Sequence, residues 1–212
     1  MLNNPVDLLS MVLGGALGRS GRKRARRAAS FLGGRGGFLS ASSLIAAAGV
    51  AWGIYDSVKN QGATGALGAA GAMGSVPVSQ VPPLPVLPEP LPDPVLRVIR
   101  LAVSAARADG DLSEKERALI LQRAREAGLE AVIEAELAAP HPLADIVRGL
   151  THAEGRKELY VIAFTIVRAD ETVSGAERIY LAQLAHQLGL DAATVAEIES
   201  DTAAKIDAQP NT

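Results

Sequence analysis

"RADGDLSEKER" occupies residues 107–117, and "RADETVSGAER" occupies residues 168–178, sixty-one positions later. Each copy sets an Asp, a Ser four residues on, a Glu three residues after that, and then an Arg. Ser followed three residues later by Glu, just before an apolar run, is the signature of a capped helix start. The stretch therefore reads as a turn between two helices, made twice. Laying 107–129 over 168–190 gives ten identities without a gap, among them Arg107/Arg168, Asp109/Asp170, Ser113/Ser174, Glu116/Glu177, Gln122/Gln183 and the closing Gly-Leu pairs. Gly128 and Gly189 fit the left-handed position that stops a helix. The repeat predicts a pseudo-symmetric pair of helical hairpins in one all-α domain.

The neighbouring sequence agrees. "PVLRVIRLAVSAARA" (94–108) carries apolar residues at 95, 98, 99, 102, 103 and 106, a helical period. "LEAVIEAELAA" (129–139) predicts a further helix closed by Pro140, and "PLADIVRGL" (142–150) a short one. "THAEGRKELYVIAFTIVRA" (151–169) mirrors the first helix, and Thr151-x-x-Glu154 fits the capping formula again. Asp191 caps a last helix reaching Ala208. The domain expected over 94–208 is long enough to bury its own core.

Ahead of it the chain changes character. Residues 1–92 hold 8 basic and 3 acidic side chains, whereas 93–212 hold 13 basic and 20 acidic. Residues 1–35 form a Gly-rich basic segment containing "RSGRKRARR" (19–27). "GGFLSASSLIAAAGVAWGIY" (36–55) is free of charge and long enough for a membrane helix, expected over 36–58. The basic residues before it place the N-terminus in the cytoplasm by the positive-inside rule. Gly49 and Gly53 form a GxxxG, which would let two such helices approach as a homodimer. Residues 59–93 form a linker, first Gly/Ala-rich, then Pro-rich in "VPVSQVPPLPVLPEPLPDP" (76–94), an extended spacer.

The pattern "AARADGDLSEKERALI", its partial echo and the all-α layout resemble the TerB-like domain, named from tellurite-resistance proteins. With a basic segment, an apolar span and a linker before it, the chain resembles the YebE-like inner-membrane family of unknown function. The resemblance implies a TerB-like helical domain and a bacterial inner-membrane address; with the one apolar span and the charge pattern, the expectation is a single-pass protein with the helical domain periplasmic. Acidic residues of that domain are proposed metal ligands, and the matching positions here are Asp109, Glu116, Asp170 and Glu177. The second copy departs from "DG", with Glu171 after its Asp.

Two accounts of those acids compete. Capping explains Ser113, Glu116, Ser174 and Glu177. Asp109 and Asp170 fall at helix C-termini, where a carboxylate faces the negative end of the helix dipole. An Asx-turn, a neighbouring Arg or a bound cation would compensate. The oxygen ligands suit Ca²⁺, Mg²⁺ or Mn²⁺. The calcium-loop formula fails because Ile120 stands where its last acid belongs.

Cys is absent, which removes disulfides, thiolate catalysis and Cys-ligated metals. His141, His152 and His186 form no metal-binding motif, and no phosphate-binding or nucleophile-elbow motif occurs. Glu130, Glu134 and Glu136 read as a solvated face. The expectation is a membrane-anchored, non-enzymatic interaction or divalent-ion-sensing module. It would contact the membrane through its N-terminal third and a protein partner through the helical domain, with no nucleic acid. The alternatives are a peripherally attached protein-binding stress protein without metal, and a metal-dependent enzyme.

Overall fold

The sequence "LYVIAFTIV" (159–167) contributes nine consecutive buried side chains. A helix apolar on every side must be surrounded by others, and this one forms the axis of the domain. The computed structural model describes residues 23–33, 37–41, 93–110, 112–126, 128–169 and 173–209. Its helices are α1 (Lys23–Gly33), α2 (Phe38–Ala41), α3 (Asp93–Ala106), α4 (Glu114–Glu126), α5 (Glu130–Ala138), α6 (Leu143–Val147), α7 (Ala153–Arg168), α8 (Gly175–Leu188) and α9 (Ala192–Asp207). No strand occurs among the described residues. The all-α expectation holds, and the helices from α3 onward fall where periodicity and caps predict.

Axial α7 packs against α3, α8, α9 and α1. Its Leu159, Ile162 and Ala163 are fully buried, as are Val98, Ile99 and Leu101 of α3 and Leu184 of α8. The second hairpin, α7–α8, is a tight pair. The first departs from it, because α4 packs chiefly on α5. Accordingly α4 buries only Ile120 and Ala124, whereas α8 buries Glu177, Tyr180, Leu181, Leu184, Ala185 and Leu188.

The repeat survives at the helix ends. Gly128 and Gly189 adopt φ of 72° and 66°. In each copy the next Leu donates its amide to an Ala five residues back, Leu129 to Ala124 at 2.8 Å and Leu190 to Ala185 at 3.0 Å. Each Gly donates to the carbonyl three back, at 3.0 Å in both copies. These paired bonds make a Schellman motif, which satisfies carbonyls that the helix leaves open. At the start of α9, Thr194 donates its amide to Asp191 Oδ1 at 2.8 Å, as the expected cap requires. That bond, joined by the Thr194 hydroxyl, holds the Asp191 carboxyl below the usual carboxylate range. The start of α7 differs from expectation: its N-cap is His152, which makes no side-chain cap bond.

The N-terminal region brings the main correction. α1 buries Ala25, Ala28, Phe31 and Leu32, an i, i+3, i+6, i+7 stripe, and lays it on α9 and α7. Lys23 and Arg26 stay exposed on its other side. Phe31 stacks on Phe38 of α2 with ring centroids 5.7 Å apart, and Leu39 is fully buried. Ser30 Oγ donates to Gln209 Oε1 at 3.3 Å, joining α1 to the end of the domain.

A single-pass inner-membrane placement, with the N-terminus cytoplasmic and the helical domain periplasmic, is therefore overturned. Among the described residues no helix is long and apolar enough to cross a membrane. The contact of α1 with α7 and α9 also puts the basic segment and the helical domain on one side. Within the basic run read as a topology signal, Lys23 and Arg26 lie on the outer face of an amphipathic helix. Phe38 and Leu39, read as the start of a span, are packed within the domain. Residues 42–58, Gly49 and Gly53 among them, lie outside the described residues, as does the Pro-rich stretch up to residue 92.

Candidate functional site

The candidate ligands come first. Asp109 is exposed, three residues beyond the end of α3 and just before Gly110, whose φ is 141°. Asp170 lies outside the described residues. Glu116 and Glu177 close capping boxes. Ser113 donates its amide to Glu116 Oε2 at 2.9 Å, and Glu116 returns its own amide to Ser113 Oγ at 3.3 Å. The second copy repeats this, from Ser174 to Glu177 Oε2 at 2.7 Å and from Glu177 to Ser174 Oγ at 3.2 Å. Among the described residues no group of three or more acidic or histidine side chains is placed to hold a metal ion.

The two caps differ in burial, and so in worth. Glu177 is buried, whereas the Ser113–Glu116 pair is open to water. Ser174→Ala is expected to cost about 1–1.5 kcal/mol, since it strips a partner from a cap set against the core. Ser113→Ala, where water can substitute, is expected to cost about 0.5 kcal/mol. Urea unfolding of the two variants measures the difference.

A different site is built on the polar stripe of α3. Arg97, Arg100 and Ser104 recur at helical spacing along one side of that helix, and Arg107 follows just past its end. Arg97 Nη1 donates to the carbonyls of Ile146 and Arg148, fastening the end of α6. Arg100 Nε donates to Glu136 Oε1 at 2.8 Å. Arg107 Nη1 reaches the Leu137 carbonyl at 3.4 Å. α3 thus grips the segment α5–loop–α6 at three points and fixes the loop Pro140-His141-Pro142 between them.

Glu136 is the hub of this arrangement. It is 5% exposed, although the sequence reading put it on a solvated face with Glu130 and Glu134. Its second oxygen, Oε2, lies 2.8 Å from His141 Nδ1. A buried carboxylate needs such partners, and here they are a guanidinium and an imidazole. The Nδ1 contact orients the ring and leaves Nε2 as its other polar atom. No sequence motif announces the trio, because Arg100 and Glu136 are thirty-six residues apart. A polar stripe on an otherwise apolar helix is the one signal that would have found it.

His141 lines an open groove of about 530 Å³ between the end of α3, the Pro140–Leu143 loop and α8. That volume lies in the roughly 300–1,000 Å³ range of ligand clefts. Ser104 and Arg107 form one wall, and Ile179, Tyr180 and Gln183 form the other. Ile179 is 60% exposed, the one large apolar side chain so placed among the described residues. The Tyr180 hydroxyl is buried and has no hydrogen-bond partner. Ser104 sits close enough to influence it but makes no bond of ordinary geometry. Burial pushes the Tyr180 phenol above its usual range, so it remains a neutral O–H. Ser104, His141 and Glu136 are the residue types of a hydrolytic triad. Ser104 makes no hydrogen bond to His141, however, so the nucleophile–base contact is not assembled.

Comparison with known proteins now places the chain. No solved structure matches it. A protein from Yersinia enterocolitica, described as "Uncharacterized protein in ampR 5'region", is 30% identical over 116 residues, covering 53% of this chain and 81% of the relative. A family model described as "Protein of unknown function (DUF533)" matches residues 6–202, and that family is related to TerB-like domains. With nearly its whole length matched, the chain belongs to the DUF533 family.

Proposed function

We propose that this protein is a non-enzymatic interaction module that binds a partner protein through the groove between α3 and α8. The observation that supports the reading is Ile179, 60% exposed on the rim of that groove. A large apolar side chain left in water beside a concave surface is what a binding site offers before its partner arrives. The Pro140–Leu143 loop that borders the groove is tied to α3 and α5 by the Arg100–Glu136–His141 contacts, which limits the ordering cost of binding. The nearer kinship with YebE-like proteins belongs to this reading for the order of the segments, without the membrane span. Divalent-ion sensing at Asp109, Glu116, Asp170 and Glu177 gains no added support, since Glu116 and Glu177 are engaged as caps.

The test is Ile179→Glu in the full chain. Because Ile179 is exposed, the variant should fold with unchanged circular dichroism and stability within about 0.5 kcal/mol. Affinity capture from cells of the source organism should show a specific protein depleted at least about tenfold by the substitution. A captured set identical for both forms overturns the groove as the recognition surface.

A further inference from the structure

The internal repeat supplies a comparison for the outer face of α8. Gly175, Ala176, Ile179, Ala182, Gln183 and His186 share one side of that helix, and all are exposed. None is a Lys, Arg, Asp or Glu. The matching positions of α4 are Glu114, Lys115, Ala118, Leu121, Gln122 and Arg125, where charged side chains mark a face kept in water. Gly175 adds a second observation. Its φ is not positive, and a Cβ placed on it would meet nothing within 4 Å. Neither its backbone nor its surroundings in this chain call for a glycine there. Small residues on an exposed helix face let another helix approach closely. Ile179 stands both on this face and on the rim of the groove, whose lining holds no Asp or Glu. Residues 93–212 carry 20 acids against 13 bases, so two copies meeting through acidic surface repel each other. Here they can meet without acid facing acid.

We propose that the partner at the groove is a second copy of this chain, held α8 against α8 about a two-fold axis. The inference rests on the interaction reading above and names its partner. A two-fold contact uses the same patch on both copies. One exposed knob beside one groove is then self-complementary, because Ile179 of each copy enters the groove of the other. The two α8 helices run antiparallel and cross near Ala182, at the middle of the helix, where small residues let their axes come within about 8–10 Å. α8 is already fixed at its ends by the Ser174–Glu177 box and the Gly189 stop, so little order is lost on pairing. A strongly charged partner would find no opposite charge on this helix face. One helix and a groove make an interface at the small end of the specific range, which fits reversible association.

Sedimentation velocity of the full-length protein, from micromolar to roughly millimolar concentration, tests the pairing. The average mass is expected to climb from the 21.9 kDa of one chain toward twice that value. Ile179→Lys sets a cation against Arg107 of the other copy, and Ala182→Arg adds bulk at the crossing. Each is expected to weaken pairing by about tenfold or more. Ala118→Lys, on the matching face of α4, is expected to leave it unchanged. All three positions are exposed, so the variants keep their fold. The chain has no Cys, so Ala182→Cys supplies a single thiol. Under copper-phenanthroline it is expected to cross-link two copies at least about fivefold faster than Ala118→Cys does, since a disulfide needs close Cα atoms. A single-chain mass at every concentration overturns the inference and leaves the groove to a different protein. Self-association that neither α8 substitution weakens, or equal cross-linking at both positions, overturns it as well. Capture unaffected by Ile179→Glu is the separate result that removes the interaction reading itself.

Discussion

Ile162→Ala is expected to remove about 3–4 kcal/mol from the free energy of unfolding. Ile162 is 0% exposed at the middle of α7, the helix that α3, α8, α9 and α1 surround. Truncation there deletes three carbons of buried side chain and leaves a cavity. With helices on several sides, no single element can move in to fill it without leaving its other neighbours. The cost therefore combines lost transfer energy with most of the cavity term. Against a total stability of about 5–15 kcal/mol, this is a large fraction. Urea unfolding followed by circular dichroism measures it, and Ile179→Ala serves as the control, expected within about 0.5 kcal/mol of the parent. A loss under about 1 kcal/mol for Ile162→Ala would mean that α7 is not enclosed as described.

Leu32→Asp has the second large effect, and it is local. Leu32 is 1% exposed where α1 lies on α9 and α7. A carboxylate at that position must shed its water or leave the interface. Leaving is cheaper, because α1 joins the domain through one short stripe of Ala25, Ala28, Phe31 and Leu32 and the Ser30–Gln209 hydrogen bond. The expected result is a chain whose α3–α8 body stays folded while α1 is released. Limited trypsin digestion reads this directly. Cleavage after Arg24, Arg26 and Arg27 should quicken by about tenfold or more, a docking loss of about 1.4 kcal/mol or above. An unchanged rate would refute the docking of α1, and with it the argument that the basic segment and the domain share one side.

These two substitutions mark the two ways in which the sequence was readable. The helices from 93 onward were legible because their signals are local. Apolar period, a Ser-x-x-Glu start and a Gly stop each act within one or two turns, and doubling them made the reading firmer. The N-terminal region was misread because hydropathy does not say what an apolar face meets. Leu39, at the start of the expected span, suits a protein interior as well as a lipid one, and the apolar stripe Ala25, Ala28, Phe31 and Leu32, interleaved with basic residues, packs on α7 and α9. Glu136 was misread for a related reason. Its acidic neighbours Glu130 and Glu134 suggested water, while the partners that bury it come from α3 and from the loop after α5. The groove has no sequence signature because it is made of residues from three separate segments. Of the four proposed ligands, the sequence explained two as caps, and those bonds are present.

The unequal halves of the repeat have a consequence for how such a domain can change. What the copies still share is their helix ends, with Ser, Glu, Gly and Leu at matched positions and the same backbone bonds. What they no longer share is the face each second helix turns to its surroundings, two buried residues in α4 against six in α8. The division follows from who can supply what. Open amides and carbonyls at a helix end are answered by residues beside them in the chain, so each copy must keep its own set. An apolar face is answered by whatever packs on it, and once one copy formed the centre the other was released from that duty. The domain therefore has a helix, α4, whose outer surface can drift toward new partners while its two ends keep it a helix.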